Sequence, residues 1–383
     1  MKILHLIIDH QVVERTMGIY EKVFPGCNEI IIVDIYQREP KHLKFLKNKK
    51  IINIGHGSLE GKTFDFSQFS HIVVHFMSMD AIDFIKQAPS NIHVCWEVYG
   101  WDLYDQFLSI NGMKLTYTEK YIYSRYLYLH KLTPWLFKIY SYLRGNRYSF
   151  NYQKNRQFKY ISNRVDSIQY CCKYDALYIE DYAKRKIPNY EIFNYSLTEV
   201  LGDLKDLPFF EANGIMVGNS ASMSNNHMYV LEYLKQIELD QTSKIYMPLS
   251  YGGNQHYRED VEKVYKETFP HNDFVILKQY MPLHEYNLVF TNLNSIILSA
   301  WRQESQGTAI MGFYLGIKVF MSCKSPLYKW FKDCGFIVFT IEDANQKSFS
   351  TSLTLKEKQH NRDIVVKRYS DEAFVNTLQT HFL

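Results

Sequence analysis

The sequence predicts an α/β chain of two doubly wound domains facing each other across a cleft, and three observations carry that expectation. Short buried runs alternate with helix-length spacers in the first half, and the alternation restarts in cleaner form from about Phe209. The third is length, since 383 residues exceed what one hydrophobic core usually serves.

In the first half the expected strands are Ile3 to Ile8, Glu29 to Ile35, Lys50 to Ile54, His71 to Phe76 and Asn91 to Trp96. Short continuous apolar runs of this kind belong to a parallel sheet covered on both faces. The second half reads as a strand Ile215 to Val217, a helix to Glu238, a strand Lys244 to Leu249, a helix Tyr257 to Thr268 and a strand Phe274 to Leu277. A helix opened by Pro282 follows, then strand Ser295 to Ala300, a helix after Gly307-Thr308, and strands Lys318 to Ser322 and Phe336 to Thr340. Gly202 and Pro208 interrupt a polar stretch and put the linker within Ser196 to Phe210. The expected organisation is a first domain over 1–205, a second over 206–362, and a helical segment 363–383 returning to the first.

Forty-six per cent hydrophobic residues suffice for two cores, and a net charge of +4 argues against a dedicated nucleic-acid binder. The six cysteines form no CxxC pair and no metal-ligand spacing, which fits a reduced, intracellular chain. The first apolar run is too short for a signal peptide, and no segment reaches the roughly 18 apolar residues of a membrane span. A soluble or peripheral protein is expected.

Residues 106–160 carry ten basic side chains against one acidic residue, Glu119, a local excess larger than the charge of the whole chain. Tyrosines, Trp135 and Phe137 are interleaved with them. Cations among aromatic rings suit the headgroup layer of an anionic membrane, a solvated face over an ordinary core, or single-stranded nucleic acid. No RNA-binding signature accompanies the last.

Three strand-end turns can carry chemistry. Gly218-Asn219-Ser220, followed by Ser224, Asn225 and His227, joins a strand to a helix start, where free backbone N–H groups favour an anion and where the same letters also serve as a plain cap. Tyr251-Gly252-Gly253-Asn254 repeats that logic one unit later. Arg302-Gln303-Glu304, ahead of Gly307-Thr308, offers a guanidinium for phosphate, a carboxylate for ribose hydroxyls and a further helix start. Together the three would line one nucleotide pocket. In the first domain, Glu97, Trp101 and Asp102 follow a strand, and His10 and His75 stand at two others. Asp102 can deprotonate a hydroxyl or cap a helix, and the histidines can serve as bases or as structural hydrogen-bonders. No Asp-x-Asp stands at a strand end, so a divalent metal carrying a nucleotide diphosphate is not indicated. G-x-G-x-x-G after the first strand, the Walker loop and G-x-S-x-G are also missing.

These blocks resemble glycosyltransferase family 56, the bacterial 4-acetamido-4,6-dideoxygalactosyltransferases that extend the lipid-linked precursor of enterobacterial common antigen. The likeness runs through Trp96-x-x-x-Gly100-x-Asp102-Leu103-Tyr104, Val217-Gly218-Asn219-Ser220-x-x-x-Ser224-Asn225-x-His227, Pro248-x-x-Tyr251-x-x-Asn254 and Arg302-Gln303-x-x-x-Gly307-Thr308. It implies a GT-B fold of two Rossmann-like domains and metal-independent, inverting transfer without a cofactor. A dTDP- or UDP-linked deoxyamino sugar would be held by Gly218, Asn219, Ser220, Ser224, Asn225, His227, Tyr251, Asn254, Arg302, Gln303, Glu304, Gly307 and Thr308. A polyprenyl-diphosphate-linked glycan would approach the first domain at His75, Glu97 and Trp101, with Asp102 or His10 as general base. Residues 106–160 would meet the inner face of the cytoplasmic membrane, and no nucleic acid is expected. Asn226, Ala221 and Tyr99 depart from residues common in the family, and 118–153 diverges, which bears on donor sugar and acceptor rather than reaction class. The competing readings are a non-hydrolysing sugar-nucleotide epimerase and a membrane or RNA adaptor without catalysis.

Overall fold

The computed structural model describes residues 2–32, 51–53, 64–107, 119–120, 151–237 and 239–382. It forms two compact units. One takes the chain to Ser196, apart from Glu119 and Lys120, and from Asp371 onward; the other takes Leu197–Ser370 with Glu119 and Lys120.

The first unit is a parallel sheet of β1 (Ile3–Ile7), β2 (Asn28–Ile32), β3 (Ile51–Asn53), β4 (His71–His75), β5 (His93–Val98), β6 (Ser167–Tyr170) and β7 (Asn189–Glu191). Their order is β3-β2-β1-β4-β5-β6-β7, so the direction of winding reverses between β1 and β4. Its helices are α1 (Gln11–Val23), α2 (Met79–Ile85), α3 (Asn151–Arg164) and α4 (Lys173–Ala183). The apolar runs expected as strands in the described residues all enter the sheet. β6 and β7 were not foreseen, because their letters are polar. Gln169 and Ser167 are nonetheless buried, since Gln169 bonds the Tyr20 hydroxyl at 2.9 Å and Ser167 bonds His93 Nε2 at 2.7 Å.

The second unit repeats the pattern with β8 (Gly214–Val217), β9 (Ile245–Pro248), β10 (Phe274–Leu277), β11 (Leu293–Leu298), β12 (Lys318–Met321) and β13 (Phe339–Thr340). The order is β10-β9-β8-β11-β12-β13, again all parallel, with the reversal between β8 and β11. Its helices are α5 (Leu197–Leu201), α6 (His227–Leu234), α7 (Gln255–Thr268), α8 (Leu283–Phe290), α9 (Gln306–Leu315), α10 (Pro326–Asp333), α11 (Gln346–Ser350) and α12 (Leu355–Tyr369). Helix α9 lies close on the sheet because Gly312 has no side chain: a Cβ there would meet Ile296 Cδ1 at 2.9 Å and Val319 Cγ2 at 3.0 Å. No helix among the described residues is long and apolar enough to cross a membrane.

The expected boundary at residue 363 falls inside α12, which stays with the second unit through Lys358 to Glu211 at 2.8 Å and Arg362 to the Tyr314 carbonyl at 2.7 Å. The return to the first unit begins with α13 (Asp371–Phe382). Ser196 donates to Asp371 at 2.9 Å, so the two points where the chain changes unit are pinned together. Phe374, Leu378 and Phe382 then bury against Val13, Met17, Tyr20 and Phe24 in the core of the first unit. Leu378→Ala is expected to lower the stability of that unit by about 2–5 kcal/mol, the usual cost of such a cavity. Urea unfolding followed by circular dichroism checks this, and an unshifted midpoint would show that α13 is not part of that core.

Candidate functional site

In open α/β sheets, ligands settle beyond the carboxyl ends of the strands where the winding reverses. In the second unit that point lies between the turns after β8 and β11. Gly218 has φ of +71°, and a Cβ on it would stand 2.8 Å from His227 Nε2 and 3.3 Å from Asn225 Oδ1. Only glycine meets both demands. Asn225 then organises the turn: its Oδ1 accepts the Asn219 N–H at 3.2 Å and its Nδ2 donates to Ser220 Oγ at 3.0 Å.

Glu304 ties this turn to the one after β11. Its Oε1 accepts Asn225 Nδ2 at 3.2 Å, while Oε2 accepts Ser224 Oγ and, at 3.0 Å, Arg302 Nε. Asn226, in the left-handed conformation at φ +52°, adds a bond from Nδ2 to the Ser299 carbonyl at 3.0 Å. The turn after β9 joins from the other side, where the Ala221 N–H donates to the Tyr251 carbonyl at 2.8 Å and Asn219 Nδ2 to the Tyr251 hydroxyl at 3.1 Å. The three turns expected to act together are thus contiguous. Their parts differ from expectation. Glu304, read as a ribose acceptor, has both oxygens engaged by the protein, and Asn254 caps α7 by accepting the Tyr257 N–H at 2.8 Å.

The helix start expected to receive phosphate is also taken. Glu119, the lone acid of the basic segment, is fully buried and accepts the Met228 N–H of α6 at 2.6 Å. A carboxylate at a helix N-terminus is itself the favoured anion. Sequence reading missed it because nothing local links positions 109 residues apart. The start of α9 is different. Its cap residue Ser305 is left-handed at φ +69°, makes no side-chain cap bond, and is followed by partly exposed Gly307 and Thr308. Thr308 also hydrogen-bonds Tyr286. Arg302 lies two residues from Glu304 with most of its side chain covered, and Gln303 is partly exposed. Around this point the buried atoms Asn219 Oδ1, His227 Nε2, Ser299 Oγ, Trp301 Nε1 and Ser305 Oγ have no hydrogen-bond partner in the protein. Buried orphans of this kind cost free energy unless something completes them, and these five stand on the segments that follow β8 and β11.

In the first unit the expected residues separate into two groups. Asp102 is fully buried: Oδ1 accepts the N–H groups of Tyr99 and Leu103 at 3.1 and 3.0 Å, and Oδ2 accepts Trp96 Nε1 at 2.7 Å and the Met77 N–H at 3.1 Å. Burial pushes its carboxyl up to about 6 while these bonds oppose the rise. Four donors leave it no lone pair directed at a substrate, so its expected role as general base is corrected to that of a staple between the β4 and β5 ends. His75 and Glu97 are likewise fully buried, 2.8 Å apart, and His75 continues to His5 at 3.0 Å and His5 to Asn28 at 3.0 Å. Both lie inside the first unit rather than at its surface. His10 and Trp101 are exposed at the carboxyl edge, His10 accepting the Val12 N–H at 3.2 Å to cap α1. Among the described residues no group of three or more His, Cys, Asp or Glu could hold a metal ion. The basic segment 106–160 lies largely outside the described residues.

His227 Nδ1 pairs with the Tyr257 hydroxyl at 3.1 Å, and burial pushes its imidazole down to about 4 from an ordinary 6.5. As pH falls the unfolded chain therefore takes up the proton first. Stability is whole above about 6.5 and is lost progressively toward about 4, by an amount on the order of 3 kcal/mol. His227→Gln is expected to flatten this part of the stability–pH profile in denaturant titrations. An unchanged slope would mean that His227 does not report the acid limb.

A family model described as 4-alpha-L-fucosyltransferase glycosyl transferase group 56 matches residues 135–354. Three solved structures share the fold over nearly the whole chain. A glycosyltransferase from Rickettsia africae ESF-5 has 12% identity and a TM-score of 0.60, covering 99% of this chain and 97% of its own. Anabaena Alr3699/HepE in complex with UDP has 10% identity and a TM-score of 0.62, covering 100% and 99%. Sucrose-phosphate synthase (tll1590) from Thermosynechococcus elongatus has 10% identity and a TM-score of 0.57, covering 100% and 98%. The two Rossmann-like sheets are those of a GT-B glycosyltransferase, and with the family model matched over more than half of its length the chain belongs to glycosyltransferase group 56.

Proposed function

We propose that the second unit holds a dTDP- or UDP-linked sugar, with its diphosphate between the Gly218–Ser220 turn and the start of α9. The observation that supports this most is the set of orphaned polar atoms at the β8–β11 reversal, within turns that Glu304 holds together. Arg302 supplies the cation and the first N–H groups of α9 the dipole that a departing nucleoside diphosphate needs. Tyr251 and Gln303 border the same edge. The Anabaena structure contains UDP, which makes UDP the first nucleotide to try.

The transferred group is a deoxyamino sugar of the 4-acetamido-4,6-dideoxygalactose kind, and the acceptor a glycan on a polyprenyl diphosphate, as the family likeness implies. In the inverting reaction an acceptor hydroxyl oxygen bonds to the anomeric carbon as that carbon's bond to the diphosphate oxygen breaks. The hydroxyl proton passes to a base. His10 is the candidate, since Asp102 is saturated; its basic nitrogen Nδ1 accepts the Val12 N–H, so proton uptake requires that cap bond to give way. Preorganised donors and the Arg302 cation stabilise the developing negative charge without a metal. The protein works at the inner face of the cytoplasmic membrane, reached through residues 106–160, of whose described part Arg156 and Lys159 on α3 are exposed.

Thermal unfolding with UDP, dTDP and their sugar conjugates tests the donor site, because a ligand at about 100 times its Kd adds about 2.7 kcal/mol. A shift with one of the diphosphates is expected, reduced at least tenfold in affinity by Arg302→Ala. No shift with any of them, or an equal shift in the variant, counts against the site. Transfer to membrane extracts is expected to survive EDTA, and loss restored by magnesium would overturn the metal-free step. His10→Ala is expected to lower kcat with nucleotide binding unchanged.

A further inference from the structure

At the amino edge of the second sheet, the end away from the three site turns, a cavity of about 570 Å³ lies beside the starts of β8, β9 and β11. Ile215, Leu239 and Phe349 line it with apolar surface, and Asn213, Ser243 and Gln346 are among the polar groups between them. Phe349 is itself anchored, stacked on Phe320 of β12 at 4.6 Å with an interplanar angle of 18°.

One wall of the cavity is the segment 346–352, and the protein's own bonds hold it in place. Lys318, a buried cation on β12, donates from Nζ to the Ser348 carbonyl at 2.9 Å and to Thr351 Oγ1 at 3.1 Å. Asn294 Nδ2 donates to the Phe349 carbonyl at 2.7 Å, and Ser352 is tied to Glu211, which Lys358 holds at 2.8 Å. The cavity is therefore preformed, and its volume falls in the roughly 300–1,000 Å³ range of small-molecule sites. A second observation points to the same face of the sheet. Ser295 stands in register between Ile215 and Lys318, so the three side chains share that face, and its hydroxyl is fully buried with no hydrogen-bond partner among the described residues.

We propose that this cavity binds a neutral monosaccharide, at a site separate from the nucleotide edge. The charges around it select against ions of either sign. Glu211, bonded by Lys358 and Ser352, and Asp240, bonded by the Thr242 N–H and hydroxyl, are held below the ordinary carboxyl range, so both stay ionised and repel a phosphate. Lys347 at the rim and the paired Lys358 oppose an ammonium. What remains are groups for hydroxyls: Asn213 spends Nδ2 on the Thr242 carbonyl at 3.0 Å, which leaves Oδ1 to accept, and the exposed Gln346 amide both donates and accepts. Phe349, Leu239 and Ile215 suit the C–H surface of a sugar ring. The site does not depend on the nucleotide reading. β8 and β11 run four and six residues, so at about 3.3 Å per residue the cavity lies roughly 13–20 Å from the turns at their carboxyl ends.

Saturation-transfer NMR on the full chain tests the proposal, with methyl glycosides of hexoses and N-acetylhexosamines, glucose 6-phosphate and butylamine as probes. Transfer to the ring protons of at least one neutral glycoside is expected, unchanged by excess UDP. It falls by more than half in Ser350→Trp, which fills the cavity from an exposed position, and in Asn213→Lys, which removes the acceptor. Thermal melting of both variants shows which of them keeps the fold. The site is overturned by absence of transfer to every neutral glycoside, by displacement with UDP, or by stronger transfer to the phosphate or the amine. Transfer undiminished in whichever variant keeps the original melting temperature overturns it as well, since the sugar then sits elsewhere on the chain. A missing UDP thermal shift with glycoside transfer intact fails the nucleotide site alone.

Discussion

Everything chemical in this chain depends on one repeated arrangement, a largely buried carboxylate at the carboxyl edge of a parallel sheet with its oxygens engaged by the turns it joins. Parallel strands bring all their exit turns to one edge, and those turns carry N–H groups that no ladder satisfies. Asp102 answers this in the first unit with four donors from Met77, Trp96, Tyr99 and Leu103, and Glu304 in the second with Ser224, Asn225 and Arg302. A carboxylate removed from water is tolerable only when so bonded. The bonding that permits burial takes four donors at Asp102 and three at Glu304, and makes both residues determinants of where other groups stand.

The second sheet was legible because its strands are apolar runs and its turns are rich in Gly, Ser and Asn; β10 at Phe274–Leu277 coincides with the expected residues. The first was legible only in part. β6 and β7 carry no strand pattern since Ser167, Gln169 and Asn189 occupy them, and their polarity is satisfied by partners such as Tyr20 and His93 that no local pattern reveals. The boundary near 363 was misplaced for a related reason. Helical periodicity marks α12 and α13 alike, and what separates them is whether the side chains meet Glu211 and Tyr314 or Val13 and Tyr20.

Among site residues, type and strand-end position were legible, and role was not. Glu304 and Asp102 look in sequence like acceptors facing a ligand, because a carboxylate after a strand is equally compatible with both uses. The decisive quantity is the number of donors already present, which depends on residues as distant as Met77 from Asp102 or Ser224 from Glu304.

The two helix starts of the second unit make the point most sharply. In sequence, Ser224-Asn225-Asn226-His227 is the richer invitation to an anion, and Gln306-Gly307-Thr308 the poorer. The fold reverses the ranking. Glu119 brings a carboxylate to the Met228 N–H, so the positive end of α6 is neutralised from within the chain. At α9 the cap residue Ser305 makes no side-chain cap bond, the helix start stands beside Arg302, and Ser299 and Ser305 hold hydroxyls without partners in the protein. A helix dipole acts only over its first turn, so with the α6 start met by Glu119 the α9 start is the one that keeps its dipole for an anion. The single acid among ten cations in 106–160 thereby distinguishes two otherwise similar helix ends, through a contact that spans 109 positions of sequence.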